Sequence, residues 1–289
     1  MAAPIMYSVC PYGTGTIETG SGTIAISSGI ATLSVAQTGN IGAGVCIEYN
    51  SLKCYIVPNR IAFTSGGDGA DGVYAGDRIE GVTSGATGII RYVQVISGSW
   101  LNGNATGYIY FESISGTWNS SEQINTINPY SVIDAATTNS SLQGNIGNGN
   151  TEFVVVTATG TVPSDQSAID VTSIHHEYAS LSAFEAGFTD ANHINNTSLS
   201  AAYVCAFACC YYDHDDHTHD TVACSIDFGT SSVSYFLTVY TPVGGGESIN
   251  KQRHSGVYDA NKYCMSQISG GSNITNYESY TRIEGLQLR

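Results

Sequence analysis

The sequence predicts an all-β, multidomain protein built of small β-barrel or sandwich modules, with a β-rich C-terminal unit and one capping α-helix. Three observations predict it. Apolar residues recur in short alternating runs, as in Thr23-Ile24-Ala25-Ile26-Ser27 and Ala31-Thr32-Leu33-Ser34-Val35, which is the period of a half-buried strand. Thirty-three glycines punctuate the chain, and it is rich in Thr, Ser, Ile and Val rather than in the Ala, Leu, Glu and Lys of helical bundles. Its 289 residues also favour more than one core.

Only 11% of the residues are charged, against about 25% in an average soluble protein, so hydroxyls and amides must make up the surface. A net charge of −15 with three lysines argues against nucleic acid and against an anionic membrane surface as partners. Disorder is disfavoured, because 42% hydrophobic residues can bury enough apolar area to offset chain entropy. No run approaches the roughly 18 apolar residues that span a bilayer. The start, Met-Ala-Ala-Pro-Ile-Met, does not read as a secretory leader.

Along the chain, residues 1–15 alternate too little to define a strand and read as an extended assembly arm that offers Tyr7, Pro11 and Tyr12 to a neighbour. Short strands follow from Gly22 and continue across a turn at Asn50. Cys46 and Cys54 are placed symmetrically about that turn, so a cross-strand disulfide and two free core thiols are both open readings. Cys224 could reach Cys209 or Cys210 by the same hairpin logic. The Gly-rich stretches Ser65–Gly72 and Gln143–Asn150 bracket residues 64–150 as an inserted β domain. The apolar run Glu152–Thr159 suits the core of the preceding strands, so residues 16–63 and 151–165 form one discontinuous domain. Residues 166–289 form a helix-capped β-rich domain. Its helix is expected over Thr172–His193, where Ile174, Tyr178, Leu181, Phe184 and Phe188 recur at three- or four-residue spacing.

Two resemblances add a setting. Gly76–Gly88 and Ile114–Ile124 resemble a small β module of tailed-bacteriophage virion proteins and large bacterial surface proteins. Thr23–Gly29, Gln37–Gly42 and Tyr280–Leu288 resemble the N-terminal region that precedes a right-handed parallel β-helix in such proteins. The resemblance implies that the C-terminal unit is the start of a parallel β-helix and that the helix caps its open end. The carboxylate-bearing helix body of a phage depolymerase lies outside this sequence.

Candidate chemistry is sparse. In Tyr212–Asp220 an extended backbone points His217 and His219 one way, as it does Asp213 and Asp215, so imidazoles and carboxylates could converge on a divalent metal ion. An exposed hairpin tip rich in turn-forming Asp has the same composition. Gly66–Tyr74 matches a calcium-binding nonapeptide once, whereas that motif works by stacking several turns. There is no G-x-S-x-G elbow, and Gly244-Gly245-Gly246 lacks the Lys-Ser/Thr of a phosphate loop. His175-His176-Glu177, inside the expected helix, reads as a solvated face.

The expectation is therefore a non-enzymatic structural protein on the exterior of a tailed-phage virion, as a fibre, decoration or tail-associated protein, with no required cofactor. Its partners would be copies of itself, other virion or surface-assembly proteins, and a host-surface glycan. The alternatives are a bacterial extracellular filament subunit or adhesin, and the N-terminal part of a glycan-degrading tailspike.

Overall fold

The computed structural model describes residues 4–11, 16–18, 22–67, 72–127, 136–138, 140–212, 218–267 and 271–289. In chain order the first strands are β1 (Ile5–Val9), β2 (Thr16–Glu18), β3 (Thr23–Ser27), β4 (Ile30–Leu33), β5 (Cys46–Tyr49) and β6 (Leu52–Val57). Next come β7 (Arg60–Gly66), β8 (Arg78–Gly81), β9 (Thr87–Ser97), β10 (Ala105–Ser115), β11 (Gln123–Thr126) and β12 (Ala136–Thr138). β13 (Glu152–Val156) and β14 (Gln166–His175) precede two short helices, α1 (Leu181–Ala186) and α2 (Leu199–Ala202). The remaining strands are β15 (Ala206–Cys210), β16 (Cys224–Ile226), β17 (Leu237–Tyr240), β18 (Cys264–Met265), β19 (Ile274–Asn276), β20 (Thr281–Glu284) and β21 (Gln287–Leu288).

The first barrel runs β14-β3-β4-β13-β6-β5 and closes where β5 pairs with β14. Its strands follow the sequence pattern: Ile24 and Ile26 point inward while Ser27 faces solvent. Asn50 and Ser51 both have positive φ, 45° and 60°, as a two-residue type I′ hairpin turn requires. A two-residue loop has its centre between residues 50 and 51, so Cys46 stands opposite Tyr55 and Cys54 opposite Ile47. The thiols therefore leave opposite faces of the hairpin, and both are free and buried, so the Cys46–Cys54 disulfide is not formed. Cys209, Cys210 and Cys224 are free as well.

The second barrel, β10-β7-β12-β11-β8-β9, is closed by the β9–β10 hairpin. It has its own core of Ile61, Phe63, Ile79, Ile90, Ile109, Phe111, Trp118 and Ile124. Glu122 joins its two signature segments. The carboxylate accepts from the Thr83 and Ser84 backbone N–H groups at 3.2 and 2.8 Å, the Ser84 hydroxyl at 2.9 Å and the Asn119 N–H at 2.7 Å. Gly81 makes room for it, since a Cβ there would lie 2.5 Å from the carboxylate. β7 begins at Arg60 and β14 extends beyond residue 165, so strand pairing assigns 60–63 to this barrel and 166–175 to the first.

In the C-terminal unit the chain visits three parallel sheets in the same order on successive turns. One sheet is β1-β15-β17-β20, the second is β18-β21 extended by a bridge from Asp220 to Met265, and the third is β16-β19. This is the coil of a parallel β-helix.

Two expectations are corrected here. The arm is a strand: all five residues of β1 are buried, and β1 pairs in parallel with β15. A strand covered on both faces has no reason to alternate, which is why its pattern was illegible. Tyr7 is 1% exposed and donates to the Ala158 carbonyl at 2.8 Å, so it anchors this chain's own core. Pro11 is half-buried, and Tyr12 lies outside the described residues. The helix over Thr172–His193 shrinks to Leu181–Ala186, because the β-branched run Ile169-Asp170-Val171-Thr172-Ser173-Ile174 pairs with β3 and β5 instead. Ser180 caps α1, and its apolar residues Leu181 and Phe184 are buried beside the coil.

Candidate functional site

Of the metal candidates in the polar loop, Asp213, Asp215 and His217 lie outside the described residues. His219 stands edge-on to Tyr258, with its Nε2 3.4 Å from the tyrosine hydroxyl. Asp220, at the end of that loop, is structural. Its buried carboxylate accepts from the Leu181 N–H at 2.8 Å, the Tyr263 hydroxyl at 2.7 Å and the Val222 N–H at 3.1 Å, tying the coil to the start of α1.

The structure gathers a different cluster where the first barrel meets the coil. Cys46 on β5 and His175 on β14 are cross-strand partners, and Glu177 follows two residues later on the same side. The ligating atoms of these three all lie within 4.8 Å of one another. One carboxylate oxygen of Glu177, Oε1, is engaged by His193 Nε2 at 2.8 Å and by Lys53 Nζ at 3.3 Å. The other, Oε2, is buried without a hydrogen bond and lies 3.6 Å from His175 Nε2. Burial alone would raise the Glu177 carboxyl, but the imidazoles of His175 and His193 and the charge of Lys53 hold it well below the usual carboxylate range. Burial pushes the Cys46 thiol well up, and the Glu177 charge adds to the effect. Sequence reasoning missed this cluster because it placed His175 and Glu177 on a helix. The signal was their i, i+2 spacing, which puts both on one side of an extended segment.

A second polar centre locks the inserted barrel to the coil. Arg91 on β9 is 3% exposed and reaches Glu247 at 2.5 Å, Glu112 at 2.9 Å and Glu284 of β20 at 3.0 Å, with its guanidinium 4.2 Å above the Tyr240 ring. Three carboxylates around one buried cation match its fork of donors and hold the two units in register. Beside it lies an apolar cleft of about 660 Å³, lined by Tyr74, Tyr92, Trp100, Val233, Phe236 and Tyr280. Gly67 at φ 113° lets the chain pass Trp100, whose carbonyl would lie 1.9 Å from any Cβ at that position.

The outer strand of the largest coil sheet, β20, has no partner strand on its far side among the described residues. Tyr277, Tyr280, Ile283 and Leu288 are exposed around it. No helix is long and apolar enough to cross a membrane among the described residues. Comparisons with protein-family models, with curated proteins and with solved structures return no match to this chain.

Proposed function

We propose that this chain is a non-enzymatic structural subunit of a multi-copy assembly on the exterior of a tailed-phage virion, as a fibre, decoration or tail-associated protein. The observation that carries the reading is the parallel coil with its open β20 edge. A coil of stacked strands buries its apolar faces by adding turns, and each added turn covers the edge of the last. An uncovered edge is a pairing template, and beside Arg282 and Glu284 this one carries exposed Ile283, with Tyr277 and Tyr280 exposed next to it. The two barrels are then modules displayed from this stem, held to it by β1 and by Arg91. The virion setting rests on the resemblance of the Gly76–Gly88 and Ile114–Ile124 segments to phage and surface-protein modules. The same open edge would serve the stem of a glycan-degrading tailspike, in which this chain is the part before the catalytic coil.

The test is association of the untagged chain, followed by light scattering across a concentration series and by electron microscopy of the particles. Concentration-dependent oligomers that are lost in Ile283→Lys support the proposal. A monomer at every concentration, unaffected by that substitution, refutes it.

A further inference from the structure

Outside the assembly surface, the cluster at the seam of β5 and β14 has no role in display. Its hydrogen bonds orient the groups. Ser173 donates its hydroxyl hydrogen to Glu48 at 3.0 Å, so at 3.1 Å from His175 Nδ1 it can only accept. His175 Nδ1 therefore donates to Ser173, which turns Nε2 toward the Glu177 carboxylate. Nε2 lies 3.6 Å from Glu177 Oε2, beyond hydrogen-bond distance, and Oε2 is buried without a hydrogen-bond partner. The Glu177 side chain is only 6% exposed, and Lys53 and His193 both engage its other oxygen. A buried carboxylate oxygen left without a partner is costly, and a cation held between it, the imidazole and the thiol would satisfy it. The Cys46 sulfur, fully buried, completes the third corner.

From this geometry we propose that Cys46, His175 and Glu177 form a zinc-binding site, with Cys46 Sγ, His175 Nε2 and Glu177 Oε2 as ligands. Thiolate, imidazole and carboxylate together suit a borderline-soft divalent ion better than calcium or magnesium, which take oxygen ligands. With metal–ligand bonds of about 2.0–2.3 Å, ligands of a tetrahedral zinc sit about 3.3–3.6 Å apart. The His175–Glu177 separation of 3.6 Å already meets this. Ser173 and Glu48 form the outer hydrogen-bond relay that ligating histidines use, and His193 and Lys53 orient the carboxylate. Binding replaces the Cys46 S–H bond with S–Zn and releases that one proton to solvent. The fourth position is left for water. The ion would staple the closing pair of the first barrel, β5 and β14, to the segment that leads into the coil. This site is independent of the assembly reading and survives its failure.

The test uses the untagged full chain, unfolded in guanidinium with chelator and refolded with or without Co²⁺ or Zn²⁺. Expected are one equivalent of Co²⁺ with a thiolate-to-cobalt charge-transfer band, displacement of that band by Zn²⁺, and a higher thermal midpoint with Zn²⁺ than without. Cys46→Ser should abolish the band, whereas Cys54→Ser, which alters the opposite face of the same hairpin, should keep it. Glu177→Gln should weaken cobalt binding at least tenfold, which provides a reading if Cys46→Ser does not fold. Refolded protein that takes up no metal, or a band that persists in Cys46→Ser, overturns the proposal.

Discussion

Replacing Glu122 by Ala should selectively destabilise the inserted barrel. The carboxylate is 4% exposed and receives three backbone N–H groups and one hydroxyl at 2.7–3.2 Å, from the turn after β8 and the turn before β11. A hydrogen bond to a charged group contributes about 1.5–3 kcal/mol net, and a buried donor left unpaired costs about 1–3 kcal/mol. The four bonds share one acceptor and lie partly near solvent, so they do not sum, and the loss should total about 3–5 kcal/mol. That is a large share of the roughly 5–15 kcal/mol that holds a domain folded. Both tryptophans of the chain, Trp100 and Trp118, lie in this barrel, so their fluorescence reports its unfolding apart from the rest. With a urea dependence of about 2 kcal/mol per molar, the tryptophan midpoint should fall by about 2 M. Glu122→Gln keeps one acceptor oxygen and should fall between the two. A Glu122→Ala midpoint within about 0.3 M of wild type would refute the role given to this carboxylate.

Tyr7→Phe removes only the hydrogen bond to Ala158 and should cost about 1 kcal/mol. Tyr7→Ala also empties a site against Tyr55 and Tyr178 and should cost about 3–5 kcal/mol by chemical denaturation, whereas a docking arm would tolerate either change. All eight cysteines are free and buried, so a thiol reagent should react slowly with native protein and find eight thiols after unfolding without reductant. Fewer thiols, with the matching loss of mass, would signal a disulfide. Burial lifts the Glu247 carboxyl to about 7 against the pull of Arg91. The folded chain thus holds that proton more tightly than the unfolded one, and the contribution, full below 4.5, is lost as pH rises to about 7. Burial lowers His176 to about 3, which acts in the opposite sense: its contribution is full above 6.5 and is lost as pH falls. Glu247→Gln leaves the His176 effect unopposed, so the variant's urea midpoint should rise more steeply than wild type between about pH 5 and 7, and equal slopes would count against it.

Local pattern carried a good deal of this protein. The all-β class, the alternating strands of the first barrel and the turn at Asn50 were all legible in the sequence, because each depends on neighbours a few residues apart. The Thr83-Ser84 and Asn119–Glu122 segments were visible as a motif, although their meeting through one carboxylate was not. Other features depended on the tertiary structure. β1 pairs with a strand some 200 residues away and is covered on both faces, which erases the alternation that would have revealed it. The apolar spacing from Ile174 to Phe188 fits a helix, but β3 and β5 offered Gln166–His175 a closed barrel, and satisfying every ladder bond outweighed the helical period. That pairing also brought Cys46 beside His175 and turned Glu177 toward both. The sequence alone determined which residues could form strands and where they must turn. Only the tertiary structure decided which strands meet, and so which thiol, imidazole and carboxylate share one buried site, because contacts between distant residues depend on closure of the whole barrel.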